Sequence, residues 1–290
     1  MEYLFHIIIM INIYVMLVLS ANLTIGMANL LSMCQAAFYG IGAYIGTFFL
    51  MQFNLPFVVV ALAVMLFTGA FSLLVSYASV RLKGDYFVIA TMGFQMIIYT
   101  ILYNWTDVTR GPYGIPGIPG VKLFGAIEIS GVYAYLILSL VLALLVVFFC
   151  YRLVKSPFGR VLNAIRADEV TVQSLGRNSS AFKSWAFFIS ASIAGLAGTV
   201  YASYVSYIDP TNFTLDESIF ILSALFIGGI GNTKGPILGA LFVVLLPELL
   251  RFVGLPDSVA ANLRQIIYGL ALILVMYFRP QGLWGKTVMK

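Results

Sequence analysis

YRLVKSPFGRVLNAIRADEVTVQSLGRN, residues 151–178, is a polar and basic island in a chain built mostly of hydrocarbon. It carries Arg152, Lys155, Arg160, Arg166, Asp168, Glu169 and Arg177, whereas the 290 residues as a whole are 61% hydrophobic and 9% charged. Mean hydropathy is +1.01. On both sides of the island lie apolar runs of about 18 residues or more, the length that carries a helix across ~30 Å of hydrocarbon with every backbone group bonded internally. The contrast decides the fold class, an all-α polytopic membrane protein in which the island is a loop outside the bilayer. Residues 1–290 read as a single transmembrane domain, with 152–183 as its longest polar loop. The surface such a chain meets is a lipid bilayer and not nucleic acid.

Outward from the island, length and apolarity predict about nine spans, at 4–27, 33–53, 57–80, 86–103, 131–151, 184–207, 217–231, 237–253 and 262–278. An odd number puts the termini on opposite sides. With the N-terminus outside and the C-terminus cytoplasmic, only Arg110, Lys122, Arg251 and Arg264 of the 16 Lys and Arg fall outside, which leaves 12 inside, as the positive-inside rule asks. The island is then cytoplasmic. The short segments flanking GGIGNTKGP allow a second reading of 217–239, as a re-entrant hairpin. The first 80 residues hold no Lys or Arg, so no positive n-region marks a cleaved signal peptide. Cys34 and Cys150 sit in apolar surroundings without spaced partners and read as small core hydrophobes.

Within the island, Phe158, Val161, Leu162, Ile165 and Val172 fall at helical spacing, with Arg160, Asn163, Arg166 and Ala167 off that stripe. Pro157 suits the first turn of such a helix and Gly176 its end. The pattern fits an interfacial helix on anionic headgroups; the sharper reading is a docking helix whose apolar and charged groups seat in a cytoplasmic partner.

Several chemistries are excluded by absence. The lone Gly285-Lys286-Thr287 has Pro280 where a P-loop needs its first glycine, so this chain is not expected to bind ATP. Gly40, Gly42 and Gly46 are spaced G-x-G-x-x-x-G, which is not the dinucleotide fingerprint. No metal or cofactor site, catalytic triad or paired carboxylate is apparent, and the single histidine, His6, reads as an interfacial polar residue near the outer end of the first span. The chain is not read as an enzyme. An ion-coupled carrier would need ionisable groups near the midplane, and nearly all charges lie at span ends. A channel would need a filter, for which GGIGN is the only candidate. The polar side chains at lipid depth include Asn22, Asn29, Gln35, Thr91, Gln95 and Ser223. With Gly40, Gly42, Gly228 and Gly229, the residues Gln35, Thr91 and Gln95 make up the candidate pathway. For those glycines, close helix packing is the alternative to a broken-helix substrate site.

SPFGRVLNAIRADEVTVQSLGRN resembles the loop of branched-chain amino-acid ABC transporter permeases of the LivM-like kind, in which S-x-x-GR-x-x-x-AIR-x-DE is followed by LG. RLKGDYFVIATMGF (81–94), TRGPYGIPGIP (109–119), GGIGNTKGPILGA (228–240) and FRPQGL (278–283) resemble the family's other blocks in the same order. The resemblance implies a multi-pass subunit of a bacterial-type inner membrane, forming half of a translocation pathway with a second homologous permease subunit. It also implies two cytoplasmic ATPase subunits, which bind ATP and Mg in place of this chain, and an extracytoplasmic substrate-binding protein. It makes residues 158–176 a coupling helix, with Phe158, Arg160, Arg166, Asp168, Glu169 and Gly176 as its ATPase-coupling residues. Where the family often has a histidine this chain has Gln35, and where it often has an acid near Phe94 this chain has Gln95 and Met96. Both departures bear on the solute, expected to be a branched-chain or related hydrophobic amino acid, with another small solute such as urea as the alternative.

Overall fold

A computed structural model describes residues 2–53, 55–80, 82, 84–123, 127–129 and 131–251, with scattered positions between 263 and 284. Six helices among them are long and apolar enough to cross a bilayer. These are α1 (Glu2–Ala21, continued by a π-helix, Asn22–Met27), α2 (Gln35–Phe53), α3 (Phe57–Ser79), α4 (Asp85–Asn104), α6 (Val132–Lys155) and α9 (Ser179–Val205). Between them lie the one-turn α5 (Thr106–Thr109) and the pair α7 (Pro157–Ala167) and α8 (Glu169–Ser174). After α9 come α10 (Leu215–Gly228) and α11 (Lys234–Arg251). The expected spans up to 253 each overlap one of these helices, whereas the span at 262–278 lies largely outside the described residues.

α9 is the central staff and packs on α1, α2 and α3, while α1 packs on α6, α9, α10 and α11. The α2–α9 seam is made of residues without bulk. A Cβ on Gly42 would lie 2.2 Å from Gly195 Cα, and one on Gly198 would lie 2.1 Å from the Tyr39 carbonyl oxygen. Small residues are what allow two backbones to approach this closely where helix association depends on packing. Cys34 and Cys150 are both buried and free.

Hydrogen bonds define two ends of the bundle. At one, His6 Nδ1 lies 2.8 Å from Tyr204 Oη, and Tyr3 donates to Glu248. The same end carries the two-residue strands β1 (Ile115–Pro116) and β4 (Tyr207–Ile208), paired antiparallel. It also carries the hairpin of β2 (Val121–Leu123) and β3 (Ile127–Ile129). At the other end lie the π-helix, α7, α8 and the loop between α10 and α11.

Two features depart from straight spans. Gln35 donates to the Ser20 hydroxyl, so α2 starts beside Ser20 and not beside Met27. Seven residues of rise put that start roughly 10 Å back from the end of the first span, and the chain between Ala28 and Cys34 turns back without a helix. α10 has 14 residues, about 21 Å at 1.5 Å each, too short to cross alone. Its Glu217 accepts from Tyr14 Oη at 2.7 Å, and the loop that follows it meets Asn22. α10 therefore runs alongside the second half of the first span. α11 returns from that loop as far as Tyr3, through a helix that contains Pro247.

Candidate functional site

The island folds as two short helices and not one. Ser156 caps α7 by accepting from the Gly159 amide at 3.2 Å, and Pro157 occupies the first turn. The expected continuity through Ala167 fails because Asp168 is extended (φ −156°, ψ 105°). Its carboxylate accepts from the amides of Val170 at 2.9 Å and Thr171 at 3.2 Å, which starts α8 afresh. The Thr171 hydroxyl and these amides hold the Asp168 carboxyl below its usual range. Gly176, at φ 78°, closes α8 with the Arg177 amide on the Val172 carbonyl at 3.2 Å.

The predicted stripe faces inward: Leu162, Ile165 and Val172 are buried and Phe158 and Val161 partly so. Phe158 stacks near Phe182, ring centres 5.5 Å apart. Glu169 also faces inward and pairs with Lys183 at 2.7 Å while accepting from the Ser179 hydroxyl at 2.8 Å. Arg166 is half-buried and donates Nη1 to the Gly26 carbonyl of the π-helix. Burial pulls its pKa below the ordinary arginine value. Of the six residues assigned to coupling, Arg160, Asp168 and Gly176 are exposed. Beside them the surface shows two apolar side chains that periodicity did not single out, Val170 at 67% exposure and Leu175 at 77%. Their hydrophobicity, off the buried stripe, was the available signal.

The candidate pathway residues separate into two places. Gln35, Thr91 and Gln95 meet around the first turn of α2. Thr91 Oγ1 accepts from the Met33 amide at 3.1 Å, Ser218 Oγ from Ala36 at 2.9 Å, and Gln95 Oε1 from Ala37 at 2.7 Å. Gln95 Nε2 donates to the Phe213 carbonyl at 2.8 Å. A helix starting inside a bilayer has orphan amides that no water can reach. Here α4 and α10 supply the acceptors, and all three side chains are consumed in the process and buried. Gly40 belongs to the same place, where a Cβ would lie 2.9 Å from the Phe213 ring. Gly42 lies a turn further on, in the α2–α9 seam.

Gly228 and Gly229 lie at the other interruption. A Cβ on Gly228 would meet the Gly235 carbonyl oxygen at 2.1 Å, and Gly229 has φ 107°. Asn22 clasps this loop from the start of the π-helix: its Nδ2 donates to the Asn232 carbonyl at 2.8 Å and its Oδ1 accepts from the Gly231 amide at 3.2 Å. From the opposite side the amides of Leu283 and Trp284 reach the carbonyls of Ile227 and Gly228, both at 3.0 Å. Two of the blocks that carry the resemblance thus meet here.

At the His6 end a cleft of about 700 Å³ opens between α2, α3 and α4, lined mainly by apolar groups such as Ile41, Phe48 and Leu102, with Trp105, Asp107 and Arg110 among its lining residues. It touches none of the candidate pathway residues. Among the described residues no group of three or more His, Cys, Asp or Glu is placed to hold a metal.

The family model described as branched-chain amino acid transport system / permease component matches residues 3–276. The high-affinity branched-chain amino acid transport system permease protein LivM of Salmonella typhimurium is 34% identical over 301 residues, covering 95% of this chain and 68% of that protein. A probable branched-chain amino acid transport permease protein LivM of Methanocaldococcus jannaschii is 32% identical, over 71% of this chain and 61% of its own length. The autoinducer 2 import system permease protein LsrC of Salmonella paratyphi B is 28% identical over 91% of this chain and 72% of its own. No solved structure matches. A single family model through nearly the whole length, together with these identities, means that the chain is a multi-pass membrane protein belonging to the family of branched-chain amino acid transport permease components.

Proposed function

We propose that this chain is a membrane-spanning subunit of an ATP-driven importer of branched-chain or related hydrophobic amino acids. The observation that carries the reading is the paired α7–α8 knob, which stands on the bundle end that also holds Arg152, Lys155, Arg160, Arg177 and Lys234. In this reading that end is cytoplasmic and the His6 end is outside. The exposed Arg160, Val170, Leu175 and Gly176 seat in a cytoplasmic ATPase, while Phe158, Glu169 and Arg166 hold the knob's shape from within and the exposed Asp168 caps α8. A second permease subunit completes the pathway, two ATPases bind ATP and Mg, and an extracytoplasmic protein delivers the solute. Selectivity rests mainly on that delivery, because Gln35 spends its amide on the Ser20 and Ser190 hydroxyls, and Thr91 and Gln95 spend their polar groups on the backbone amides of Met33 and Ala37 at the start of α2.

The test is reconstitution of the chain with its neighbouring permease, ATPases and binding protein in liposomes. ATP-dependent entry of leucine, lost when the ATPases are omitted, is expected. Entry driven by an ion gradient without ATPases would overturn the reading. The similarity to LsrC, whose name assigns it to autoinducer 2 import, favours one alternative, the same machine carrying a different small solute; competition of leucine uptake by other solutes separates the two.

A further inference from the structure

We infer that Arg166 is a positioning residue whose guanidinium ties α7 to the π-helix that clasps the glycine loop, so that displacement of α7 is passed to the joint between α10 and α11. What moves α7 rests on the reading above, but the tie itself belongs to this chain.

The connection is continuous in hydrogen bonds. Arg166 Nη1 donates to the Gly26 carbonyl. Four residues earlier in the same π-helix, Asn22 holds the loop with both ends of its amide, on the Asn232 carbonyl and the Gly231 amide. Gly26 has no room for a side chain, since a Cβ there would lie 2.0 Å from Asn22 Oδ1 and 3.0 Å from the Gly231 nitrogen. Thus Gly26 touches all three parts: the guanidinium through its carbonyl, the clasping amide across its Cα, and the loop itself. A π-helix is rare and frequently found at functional sites. Its wide turn leaves carbonyls displaced from the regular helix ladder and available to an outside donor. A charged donor at the Gly26 carbonyl makes a bond about twice as strong as a neutral one.

The loop on the receiving side is built to bend. Gly229 and Gly231 both have positive φ, and Gly228 and Gly235 touch backbone to backbone. A rigid knob on one side and a glycine hinge on the other is the arrangement a mechanical coupling needs.

The test uses the full-length chain in lipid nanodiscs, alone and then in its complete transporter. In the chain alone, hydrogen exchange at the Gly231 amide should rise by about tenfold in Arg166→Ala and in Asn22→Leu, the loss expected for one charge-assisted or one well-made buried bond. Exchange in α9 should not change. Arg166→Lys, which keeps a donor, should lie between Arg166→Ala and the parent. In the complete transporter, leucine moved per ATP hydrolysed should fall in Arg166→Ala and in Asn22→Leu, and the double variant should be no worse than either single one. Unchanged exchange at Gly231 in Arg166→Ala overturns the tie whatever the transporter does. Loss of ATPase association in Arg166→Ala, with normal exchange at Gly231, makes it a docking residue instead and also overturns the proposal. Failure of the parent to couple ATP to uptake would count against the permease reading and leave the exchange result to decide the tie.

Discussion

The bundle is interrupted before α2 and again after α10, and the two gaps are closed by different chemistry. Before α2, side chains from α4 and α10 reach across to satisfy the amides of Met33, Ala36 and Ala37. All of the contributing groups are buried, and Gln95 is fixed at both ends of its amide. After α10, glycines adopt conformations that other residues avoid, and the loop is held mainly by Asn22 and by the backbone of residues 283–284. A fully satisfied polar node is rigid, because every displacement breaks several bonds that water cannot replace. The glycine joint is also bonded, by Asn22, Asn232 and residues 283–284, but its tip at 231–234 is only partly buried, so water can replace part of what bending breaks and the cost is smaller. The difference assigns anchorage to the first gap and motion to the second.

The largest effect expected is all or none and concerns which side the joint faces. A cysteine in place of exposed Asn163 should be protected from a membrane-impermeant thiol reagent in intact cells, and one in place of Tyr113, 85% exposed at the opposite end, should label. Labelling at 163 with protection at 113 would turn the bundle over and put the glycine joint outside.

Next comes the anchor. Gln95→Leu removes the partner of the Ala37 amide and of the Phe213 carbonyl at nearly constant volume. Two orphaned buried groups cost about 2–6 kcal/mol together, so the purified chain should melt at a clearly lower temperature and less of it should assemble. A variant with parental stability would mean that the start of α2 is not closed by side chains in the way the hydrogen bonds indicate.

At the joint, Gly229→Ala should cost about 1–3 kcal/mol, the usual penalty for a non-glycine residue at φ 107°. The damage should be confined to the loop, sparing the start of α2, and leucine uptake should slow for all solutes alike. A changed ratio between leucine and a polar amino acid would give Gly229 a place in the pathway and cancel the contrast with Gln95.

Much of this contrast was legible in the sequence, but not its partners. Apolar length located α1, α2, α3, α4, α6 and α9 because each is long enough to cross the bilayer. The polar types at Gln35, Thr91 and Gln95 stood out for the same reason. Their targets did not, since Gln95 bonds residues 58 and 118 positions away, and periodicity is blind to pairs at such range. The shortness of the segments around the glycines raises the re-entrant alternative for 217–239, but the apolar run continues into the glycines, so only contacts with Tyr14 and Asn22 reveal where α10 starts and ends. Arg166 was read as facing away from the stripe. The corrective signal was local: Leu162 and Arg166 are four residues apart and share a face. The break at Asp168 was equally available, because an aspartate three residues before Thr171 is a helix start as well as a charge.

The smallest effect sharpens the comparison by moving the same chemistry into water. Asp168 caps α8 through the amides of Val170 and Thr171, as Gln95 and its neighbours cap α2, but Asp168 is exposed. Water can replace its bonds, so the cost of losing them should be a small fraction of that at Gln95. Asn is as good a cap as Asp, hence Asp168→Asn should be close to silent in leucine uptake, and Asp168→Ala should reduce it modestly by loosening α8 beneath Val170 and Leu175. The Asp168 carboxyl has a pKa held below its unfolded value by the Thr171 hydroxyl and amide. Its contribution is therefore present above the ordinary carboxylate range and lost only as pH falls through the lowered folded value. Parent and Asp168→Asn should accordingly show the same uptake profile from pH 6 to 8, to be measured side by side in one vesicle preparation. A divergence in that window would mean that Asp168 pairs with a charge on a partner, so that the exposed cap acts at an interface and the comparison with the buried one no longer isolates the effect of water.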